Sequence, residues 1–343
     1  MNFSAYDGLI KLQELFNKIP AIKHFEVIEE TGKGFSVALF TTARKSKILN
    51  VRVLQRAVPK IVSDEIIKNQ ILEKYLIIMA PYVSDDSAAI CEKAGVGYCD
   101  FSGNCLISID TIYLSVKGMP NKYPKQDYAK KLFRSSAVTT SFILRELIRN
   151  GSKNWKIKEL SETVGCSIGM VSRVKTFLCE QRWAEMGSNG LRLTDPESLL
   201  RAWSEDYYID TVIHCYTKDL LPVFERKSFD FCIQEGRQVC LTGFSGGVRY
   251  APVVRYTKAH VWIRKRDISA FFQYTGCKEV DSGSNVDIFV ARNEDVFADC
   301  REINRSFVVS PVQAYLDCMQ LKGRGEEIAK EIFNKEIAQF YDS

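Results

Sequence analysis

The sequence predicts a multidomain α+β protein in which two α/β domains flank a central winged helix-turn-helix. Three observations support this prediction. The first 120 residues alternate helix-like and strand-like segments, residues 135–203 show helix-turn-helix spacing followed by a short hairpin, and strand and helix patterns resume afterwards. At 343 residues the chain is long enough for several cores. We therefore divide it into segments 1–120, 130–205 and 206–343.

Composition excludes several classes of protein. The sequence is 46% hydrophobic and 26% charged, and it has no apolar run of the roughly 20 residues that a membrane span needs. Its start, MNFSAYDGLIKLQELFNKI, lacks the pattern of a signal peptide. Eleven cysteines without a C-x-x-C pair favour reduced core thiols. His24, His214 and His260 show no metal-ligand spacing. We therefore predict a cytoplasmic protein without membrane contact, metal site or cofactor.

Positive charge is concentrated in the middle of the chain. Residues 121–192 carry 14 Lys and Arg against 6 Asp and Glu, a net charge of +8, whereas the whole chain has +5. A basic segment between near-neutral flanks is typical of a module that faces phosphates. A solvated linker and helix surface would give the same excess, so charge alone leaves both interpretations open.

The N-terminal segment predicts the element order α-β-β-β-α-β-α-β-β. Apolar spacing predicts a helix over 3–18, which Pro20 ends. The second helix is predicted to begin after Ser63 as its N-cap, and the third to end at Gly95. The predicted strands are FEVIEE, FSVALFTT, KILNVRVL, KYLIIMAPYV, VGYCDF to CLISI, and TIYLSVKG.

The end of this segment raises the question of a metal-dependent nuclease site. Such sites need carboxylates from adjacent strands to hold Mg²⁺, with a lysine near the attacked phosphate. Asp100 and Lys117 fit the pattern, and Asp110 is a further candidate, but Ser115 stands where a second carboxylate is needed. We therefore predict a scaffold without catalytic residues, and keep a nuclease as the alternative.

Residues 135–203 give the most specific signal, that of a winged helix. SSAVTTSFILRELIRNG and KIKELSETVG predict two helices, and a tight turn leads to a third, SIGMVSRVKTFLCEQRW, with Ser167 as its cap. The third helix is predicted to bury Ile168, Val171, Val174 and Leu178. The sequence RWAEMGSNGLRLTD then predicts two short strands around a Gly-Ser-Asn-Gly tip, the wing.

The opposite face of the third helix predicts contacts with double-stranded DNA. Small residues permit close approach of the backbone, while Arg and Lys reach phosphates or a guanine edge. Met170 is ambiguous, because it could contact a thymine methyl or pack on the wing. A protein–protein role for the same module is the alternative. The predicted DNA-binding residues are Lys156, Lys158, Ser167, Gly169, Met170, Ser172, Arg173, Lys175, Thr176, Asn189 and Arg192.

The C-terminal segment predicts a further α/β domain with some nucleotidyltransferase-like features. A Gly/Ser turn, GFSGG, follows the strand QVCL, as in nucleotidyltransferases that cradle a triphosphate. Those enzymes also need a D-x-D pair on a neighbouring strand, whereas HVWIRKRD has none and Asp287 is isolated. A strand-to-helix turn is the simpler interpretation. Ser310 and Pro311 predict the start of a helix, and the last helix is predicted over 326–339.

Together these motifs resemble the AbiEi-type antitoxin family of type IV toxin–antitoxin systems. The resemblance runs from about residue 75 onward through LIIMAPYVS, GVGYCDFSGN, SIGMVSRV, LTGFSGGVRYAPVV and VVSPVQAYLDCMQLKGRGEEIAKEIF. It implies a bacterial protein that binds operator DNA through a winged helix, represses its own operon and counteracts a nucleotidyltransferase-like toxin. Unlike shorter members of the family, this chain has an α/β domain ahead of the winged helix.

The N-terminal order of elements resembles the restriction-endonuclease-like fold. That fold holds its metal on the second and third strands, with a D/E-x-K triplet. Here FSVALFTT has no carboxylate, and Asn50-Val51-Arg52 stands in place of the triplet. Asn and Arg cannot hold Mg²⁺ as paired carboxylates do. The resemblance therefore implies a degenerate, non-catalytic domain.

The sequence thus predicts a DNA-binding transcriptional regulator, an antitoxin-like autorepressor of a type IV toxin–antitoxin operon, and no enzymatic activity. We expect a homodimer on a two-fold operator, because a single winged helix seldom reaches useful specificity. Two alternatives stay open. One is a metal-dependent nuclease that the winged helix targets to DNA, and the other is a toxin-binding protein that never contacts DNA.

Overall fold

The computed structural model describes residues 3–42, 46–69, 74–123, 132–133, 137–151, 153–321 and 323–341. It has a mixed α+β fold with several sheets, as predicted. Two compact units are present: residues 1–127 with 180–182, and residues 128–179 with 183–343. The winged-helix and C-terminal segments share the second unit and one core, while their separation into two domains stays a prediction. Within the described ranges, no helix is long and apolar enough to cross a membrane.

The described part of the first unit follows the predicted order of elements, except that the single strand predicted from VGYCDF to CLISI is two strands, Gly97–Asp100 and Cys105–Ile109. Its seven strands follow one another in chain order across one sheet. The elements are α1 (Ala5–Phe16), β1 (Ile22–Thr31), β2 (Gly34–Thr41), β3 (Ser46–Val53), α2 (Pro59–Asn69), β4 (Tyr75–Ala80), α3 (Asp85–Lys93), β5 (Gly97–Asp100), β6 (Cys105–Ile109) and β7 (Ile112–Val116). Only β3–β4 and β4–β5 pair in parallel, because α2 and α3 cross over between them.

Strand β4 is buried on both faces of this sheet. Ile77 and Met79 join the core beneath α1, while Leu76 and Ile78 join the core beneath α2 and α3. Alternate side chains of a strand point to opposite faces, so helices on both sides require an uninterrupted apolar run. This explains the sequence LIIMA.

The start of α2 differs from the prediction. The helix begins at Pro59 rather than after Ser63, whose buried side chain lies inside it. Proline is favoured in the first turn of a helix, because the N–H that it lacks would have no intrahelical acceptor there. The end of the predicted helix, 70–73, lies outside the described residues, as do residues 124–131 and the start of the next predicted helix at 135–136.

The second unit contains the winged-helix elements and a mixed seven-stranded sheet in the order β13-β10-β14-β12-β11-β16-β15. Its elements are α4 (Val138–Arg149), α5 (Ile157–Val164), α6 (Ile168–Glu180), β8 (Ala184–Gly187), β9 (Gly190–Leu193), α7 (Pro196–Asp206), β10 (Val212–Tyr216), α8 (Leu221–Glu235), β11 (Val239–Leu241), α9 (Gly243–Tyr250), β12 (Ala259–Arg264), α10 (Ile268–Thr275), β13 (Lys278–Glu279), β14 (Val286–Ala291), β15 (Arg301–Glu302), β16 (Phe307–Val308), α11 (Pro311–Gln320) and α12 (Gly325–Ile332). Ser310 caps α11 as predicted. The last predicted helix continues beyond α12 as a π turn and a 3₁₀ turn.

The predicted Gly/Ser turn at GFSGG instead forms the first five of the eight residues of helix α9. Its glycines permit close packing. A Cβ on Gly246 would lie 2.7 Å from the Leu241 carbonyl oxygen, and a Cβ on Gly247 would lie 2.6 Å from the Ile328 side chain. Glycine here lets α9 lie against a strand end and α12, so the sequence signal has a packing cause.

Candidate nucleic-acid interface

The turn between α5 and α6 sets the direction of the third helix of the winged-helix segment. Gly165 ends α5 in the left-handed region at φ +70°, which glycine adopts without strain. The Ser161 hydroxyl donates to the Cys166 carbonyl oxygen over 2.7 Å. The Ser167 hydroxyl oxygen accepts from the Met170 amide over 3.2 Å, so Ser167 caps α6 as predicted.

The inner face of α6 follows the prediction at three of four positions. Val171, Val174 and Leu178 are completely buried. The assignment of Ile168 to this face is wrong, because its side chain is 52% exposed. Residues four apart lie on the same side of a helix, and Ile168 therefore shares the side of Ser172. It belongs to the opposite face.

We call this opposite face the outer face of α6, defined by Ile168, Gly169, Ser172, Arg173, Lys175 and Thr176. Ser172 and Lys175 are half-buried and the other four are exposed. The Arg173 Nε donates to the Gly169 carbonyl oxygen over 3.3 Å, and the Thr176 hydroxyl donates to that of Ser172 over 2.9 Å. A Cβ on Gly169 would meet nothing within 4 Å. A duplex could therefore approach the backbone closely at this position.

Met170 lies outside the outer face. Its side chain is half-buried and packs against the core of the second unit. Of the two readings that the sequence left open for this residue, the structure favours packing over contact with a thymine methyl.

The two short strands predicted for the wing form the hairpin β8–β9. Trp155 adds a bridge to its outer strand, with backbone hydrogen bonds to Leu191 of 2.8 and 2.9 Å. Gly190 has φ +132°, and a Cβ there would lie 2.5 Å from the Trp155 carbonyl oxygen, so the close approach requires glycine. Asn189 is exposed at the tip, and Lys156 donates from Nζ to the Ser188 carbonyl oxygen over 3.1 Å.

The basic character of this region is smaller than the sequence count suggests. Arg145 is only 3% exposed, and Arg149 pairs with Glu146 and Asp299 at 2.6 and 2.7 Å. Lys153 lies 2.7 Å from Glu159. Among the predicted DNA-binding residues, five cations lie on the outer face of α6, the start of α5 and the wing. They are Lys156, Lys158, Arg173, Lys175 and Arg192.

Two of these five cations have acidic neighbours. Lys158 lies 3.8 Å from Glu162 on the exposed side of α5. Arg192 is paired in register with Glu185 across the wing hairpin. An exposed ion pair such as Lys158–Glu162 is weak, so Lys158 can exchange its partner for a phosphate.

Arg145 instead joins the winged-helix segment to the C-terminal segment. Its guanidinium donates to the hydroxyl of Ser310 over 3.2 Å and to the amide oxygen of Gln313 over 2.5 Å. It also lies 5.5 Å from the ring centre of Trp203. The sequence counted Arg145 in the positive charge of residues 121–192, and only its spacing within the apolar stripe of α4 could have indicated burial.

Asp317 is the centre of the hydrogen-bond network behind Arg145. It has no exposed surface and accepts from Tyr207 at 2.6 Å, Trp262 at 2.7 Å, Gln313 at 2.8 Å, and Thr242. Burial raises the pKa of its carboxyl group, while the four donors act in the opposite direction. The network thus joins α7, β12 and α11 to α4 through buried polar contacts.

A cavity of about 40 Å³ lies beside Arg145, Trp203 and Tyr207. Sites for organic ligands are usually about 300 Å³ or larger, so this space fits only water-sized groups. It belongs to the buried network.

The nuclease candidates of the first unit do not converge on a metal site. The buried carboxylate of Asp100 accepts from the amides of Val83, Gly103 and Asn104 at 3.1, 2.7 and 2.8 Å, and from the Asn104 side chain at 2.9 Å. Lys117 pairs with Glu92 at 2.6 Å, and Asp110 with Lys47 at 3.3 Å. In the described ranges, no group of three His, Cys, Asp or Glu side chains is placed to hold a metal.

Two of the residues that stand in place of the D/E-x-K triplet form hydrogen bonds with side chains of α2. Arg52 donates to Glu65 over 2.6 Å, and Asn50 donates to Asn69 over 2.9 Å. Glu65 is a buried carboxylate next to these strands that the sequence analysis did not identify, since it lies on α2. Its charge is balanced by Arg52.

One protein family matches part of the second unit. Residues 192–338 match a family described as "Transcriptional regulator, AbiEi antitoxin, Type IV TA system". The predicted resemblance to this family is confirmed over these residues, from the second wing strand to the chain's last turns. No curated protein matches the chain.

Among solved structures, the chain is similar to the apo form of EndoMS. The two are 13% identical with a TM-score of 0.20. The match covers 29% of this chain and 47% of the other, so it spans about half the length of that structure.

Proposed function

We propose that this protein is a DNA-binding transcriptional regulator that acts as an antitoxin-like autorepressor of a type IV toxin–antitoxin operon. The observation that carries the proposal is the outer face of α6, a capped and exposed helix with Arg173 and Lys175 beside a wing. The family match over residues 192–338 supports the regulatory role.

The geometry supports reading of a duplex in its major groove. In helix-turn-helix proteins the N-terminal residues of the recognition helix contact base edges, and the neighbouring elements contact the backbone. Arg173 lies in the second turn of α6 and could form two hydrogen bonds to a guanine. Lys156, just before α5, and Asn189, at the wing tip, would contact phosphates.

The assembly and the partners are part of this proposal. A homodimer on a two-fold operator would supply the specificity that one winged helix lacks. The C-terminal sheet and its helices, the part that matches the antitoxin family, would bind a nucleotidyltransferase-like toxin. The protein would act in the cytoplasm of a bacterium.

The first unit would serve as a non-catalytic scaffold with a restriction-endonuclease-like fold. The contacts of two residues support this role. Backbone amides surround the Asp100 carboxylate. The charge of Arg52 is neutralised by Glu65. A carboxylate that accepts four hydrogen bonds has little capacity left for Mg²⁺.

The test is a binding titration with duplex DNA from upstream of the protein's own coding sequence. We expect tighter binding to this duplex than to an unrelated duplex of the same length, at several salt concentrations. Lys156→Ala and Lys158→Ala should each reduce the slope of log affinity against log salt by about 0.9, the value for one lost phosphate contact. Lys218→Ala, an exposed lysine elsewhere, is the control.

Equal affinity for both duplexes would contradict operator recognition. No binding to either would favour the alternative in which the protein contacts only a toxin.

A further inference from the structure

Ile168 is an apolar side chain in an otherwise polar and cationic surface. It occupies the first position of α6, directly after the Ser167 cap, and is 52% exposed. Its neighbours on the outer face are Ser172, one turn later, and Lys175, two turns later. Contacts within the protein cover only about half of the Ile168 side chain. Packing inside the protein therefore does not by itself explain an apolar residue at this position.

The other described residues of this helix separate cleanly into two faces. Val171, Val174 and Leu178 face the core, and Ile168 is the one large apolar side chain of α6 that is more exposed than buried. Gly169 beside it leaves open space in which a Cβ would touch nothing. A partner could therefore lie directly over the first turn and enclose the exposed half of Ile168.

We propose that Ile168 contacts the 5-methyl group of a thymine in the major groove, and so helps to determine which sequence is bound. This inference rests on the proposed function. Thymine is the base that presents an apolar group in that groove, and apolar side chains recognise it by contact. The thymine contact that the sequence allowed for Met170 thus belongs to Ile168, because Met170 packs against the core.

The position of Arg173 on the same face gives a spacing for the site. Five residues of helix rise by about 7.5 Å, and successive bases along a strand are about 3.4 Å apart. We therefore expect the recognised thymine about two base pairs from the guanine that Arg173 would contact.

The experiment compares duplexes that differ only in thymine methyl groups. The duplex from upstream of the coding sequence is prepared with thymine or with uracil, which lacks the methyl and keeps the pairing. The wild-type protein should bind the uracil duplex about fourfold more weakly for the one methyl that Ile168 buries. Single uracil substitutions should locate that position.

Ile168→Ala should bind both duplexes with the same, reduced affinity. Ile233→Ala is the matched control, since Ile233 is 62% exposed on α8 in the same unit and should keep the wild-type difference. Unchanged thermal unfolding of the Ile168→Ala protein would verify its fold, as expected for an exposed side chain.

The inference is overturned if wild-type protein binds both duplexes equally, or if Ile168→Ala keeps the preference for thymine. It is also overturned if Ile168→Ala leaves DNA affinity unchanged, the outcome expected of a protein-binding surface. In each case the wild-type protein would still bind the duplex, so the proposed function would stand. Absence of any wild-type binding would remove both.

Discussion

Arg173 is the residue on which base recognition should depend most. Its side chain is exposed in the second turn of α6, and only Nε is used by the Gly169 carbonyl oxygen. Arg173→Ala should weaken binding to the upstream duplex by about 1–3 kcal/mol and relax the preference for one base pair. Arg173→Lys keeps the charge but loses the paired hydrogen bonds, so affinity should recover more than specificity.

Competition titrations with base-pair variants of the duplex would measure both quantities. Arg226→Ala, an exposed arginine on α8, is the matched control and should behave as wild type. If Arg173→Ala leaves affinity and base preference unchanged, α6 does not face the duplex.

His260 should make the second unit sensitive to acid. Its ring is buried, its Nδ1 has no hydrogen-bond partner among the described residues, and burial lowers its pKa from 6.5 to about 4. Below pH 6.5 the unfolded chain takes up a proton that the folded chain refuses. The stabilisation is therefore complete above that pH and is lost as the pH falls towards the folded pKa. Between about pH 7.5 and pH 5 the loss should be about 2 kcal/mol.

Urea denaturation at several pH values tests this. In His260→Phe the new ring would lie near Phe244 and Phe289. This variant should lack that part of the pH dependence, whether it is more or less stable than the wild-type protein. His24→Gln, at an exposed position, should leave it unchanged. A His260→Phe protein with the wild-type slope would show that another group titrates.

For single residues, the sequence predicted which positions share one face of a helix better than it predicted which side chains are exposed. It predicted the burial of Val171, Val174 and Leu178, but failed for Ile168, because the start of a helix can project beyond the core that its later turns cover. It included Arg145 in the net positive charge of residues 121–192 without indicating burial, although Ser310 and Gln313 stabilise the guanidinium inside the protein. Those partners are more than 160 residues away in sequence, and no local pattern could reveal them.

For the helix α6 as an element, two substitutions of the Ser167 cap can distinguish an effect on stability from an effect on DNA binding. Ser167→Ala removes the side-chain acceptor of the Met170 amide, which also donates to the Ser167 carbonyl oxygen over 3.0 Å, and should lower the free energy of unfolding by about 0.5–1 kcal/mol. Ser167→Asp keeps a cap of similar strength, but places a negative charge where the phosphates should lie. It should therefore retain wild-type stability and lose affinity for the duplex.

Urea denaturation and binding titrations on the two variants give the comparison. Ser84→Asp provides a control, since Ser84 caps α3 in the first unit and its replacement should affect neither property strongly. Tight binding by Ser167→Asp would place the start of α6 away from the duplex.

Element prediction succeeded where local chemistry decides, and failed where packing does. The caps at Ser167 and Ser310 were predicted because serine, turn and apolar run lie together in sequence. GFSGG was predicted as a turn from its glycines, but those residues are helical. Two of them are glycine because Leu241 and Ile328 lie too close for side chains. The helix over 221–235 and the strand over 212–216 were not predicted.

For the molecule as a whole, Arg145 should make the winged-helix and C-terminal segments unfold together. Arg145→Met keeps the length of the side chain but leaves Ser310 and Gln313 without their buried partner. We expect a loss of about 2–4 kcal/mol. Arg149→Ala, on the same helix but half-exposed, should lose about 1 kcal/mol or less. Thermal unfolding followed by tryptophan fluorescence would measure both, and equal losses would contradict a structural role for the network.

The role of the first unit follows from how Asp100 is held. Its carboxylate receives three backbone amides and the Asn104 side chain, which fix the segment between β5 and β6. We therefore expect no cleavage of plasmid DNA by the wild-type protein with Mg²⁺ or Mn²⁺. Asp100→Asn puts an amide where four donors converge, and should destabilise the unit by about 2–4 kcal/mol. Asp110→Asn, at an exposed turn, should have little effect.

The opposite result has a distinct signature. In a nuclease, the wild-type protein would cut the plasmid only with divalent metal, and Asp100→Asn would abolish cutting while the protein stayed folded. That outcome would require Asp100 to exchange backbone amides for a metal ion. Because a buried carboxylate gives up charge-assisted hydrogen bonds only for a stronger partner, metal would then also raise the unfolding temperature of the wild-type protein. Unfolding with and without Mg²⁺, on wild-type and Asp100→Asn protein, therefore separates a scaffold from an enzyme independently of the cleavage assay.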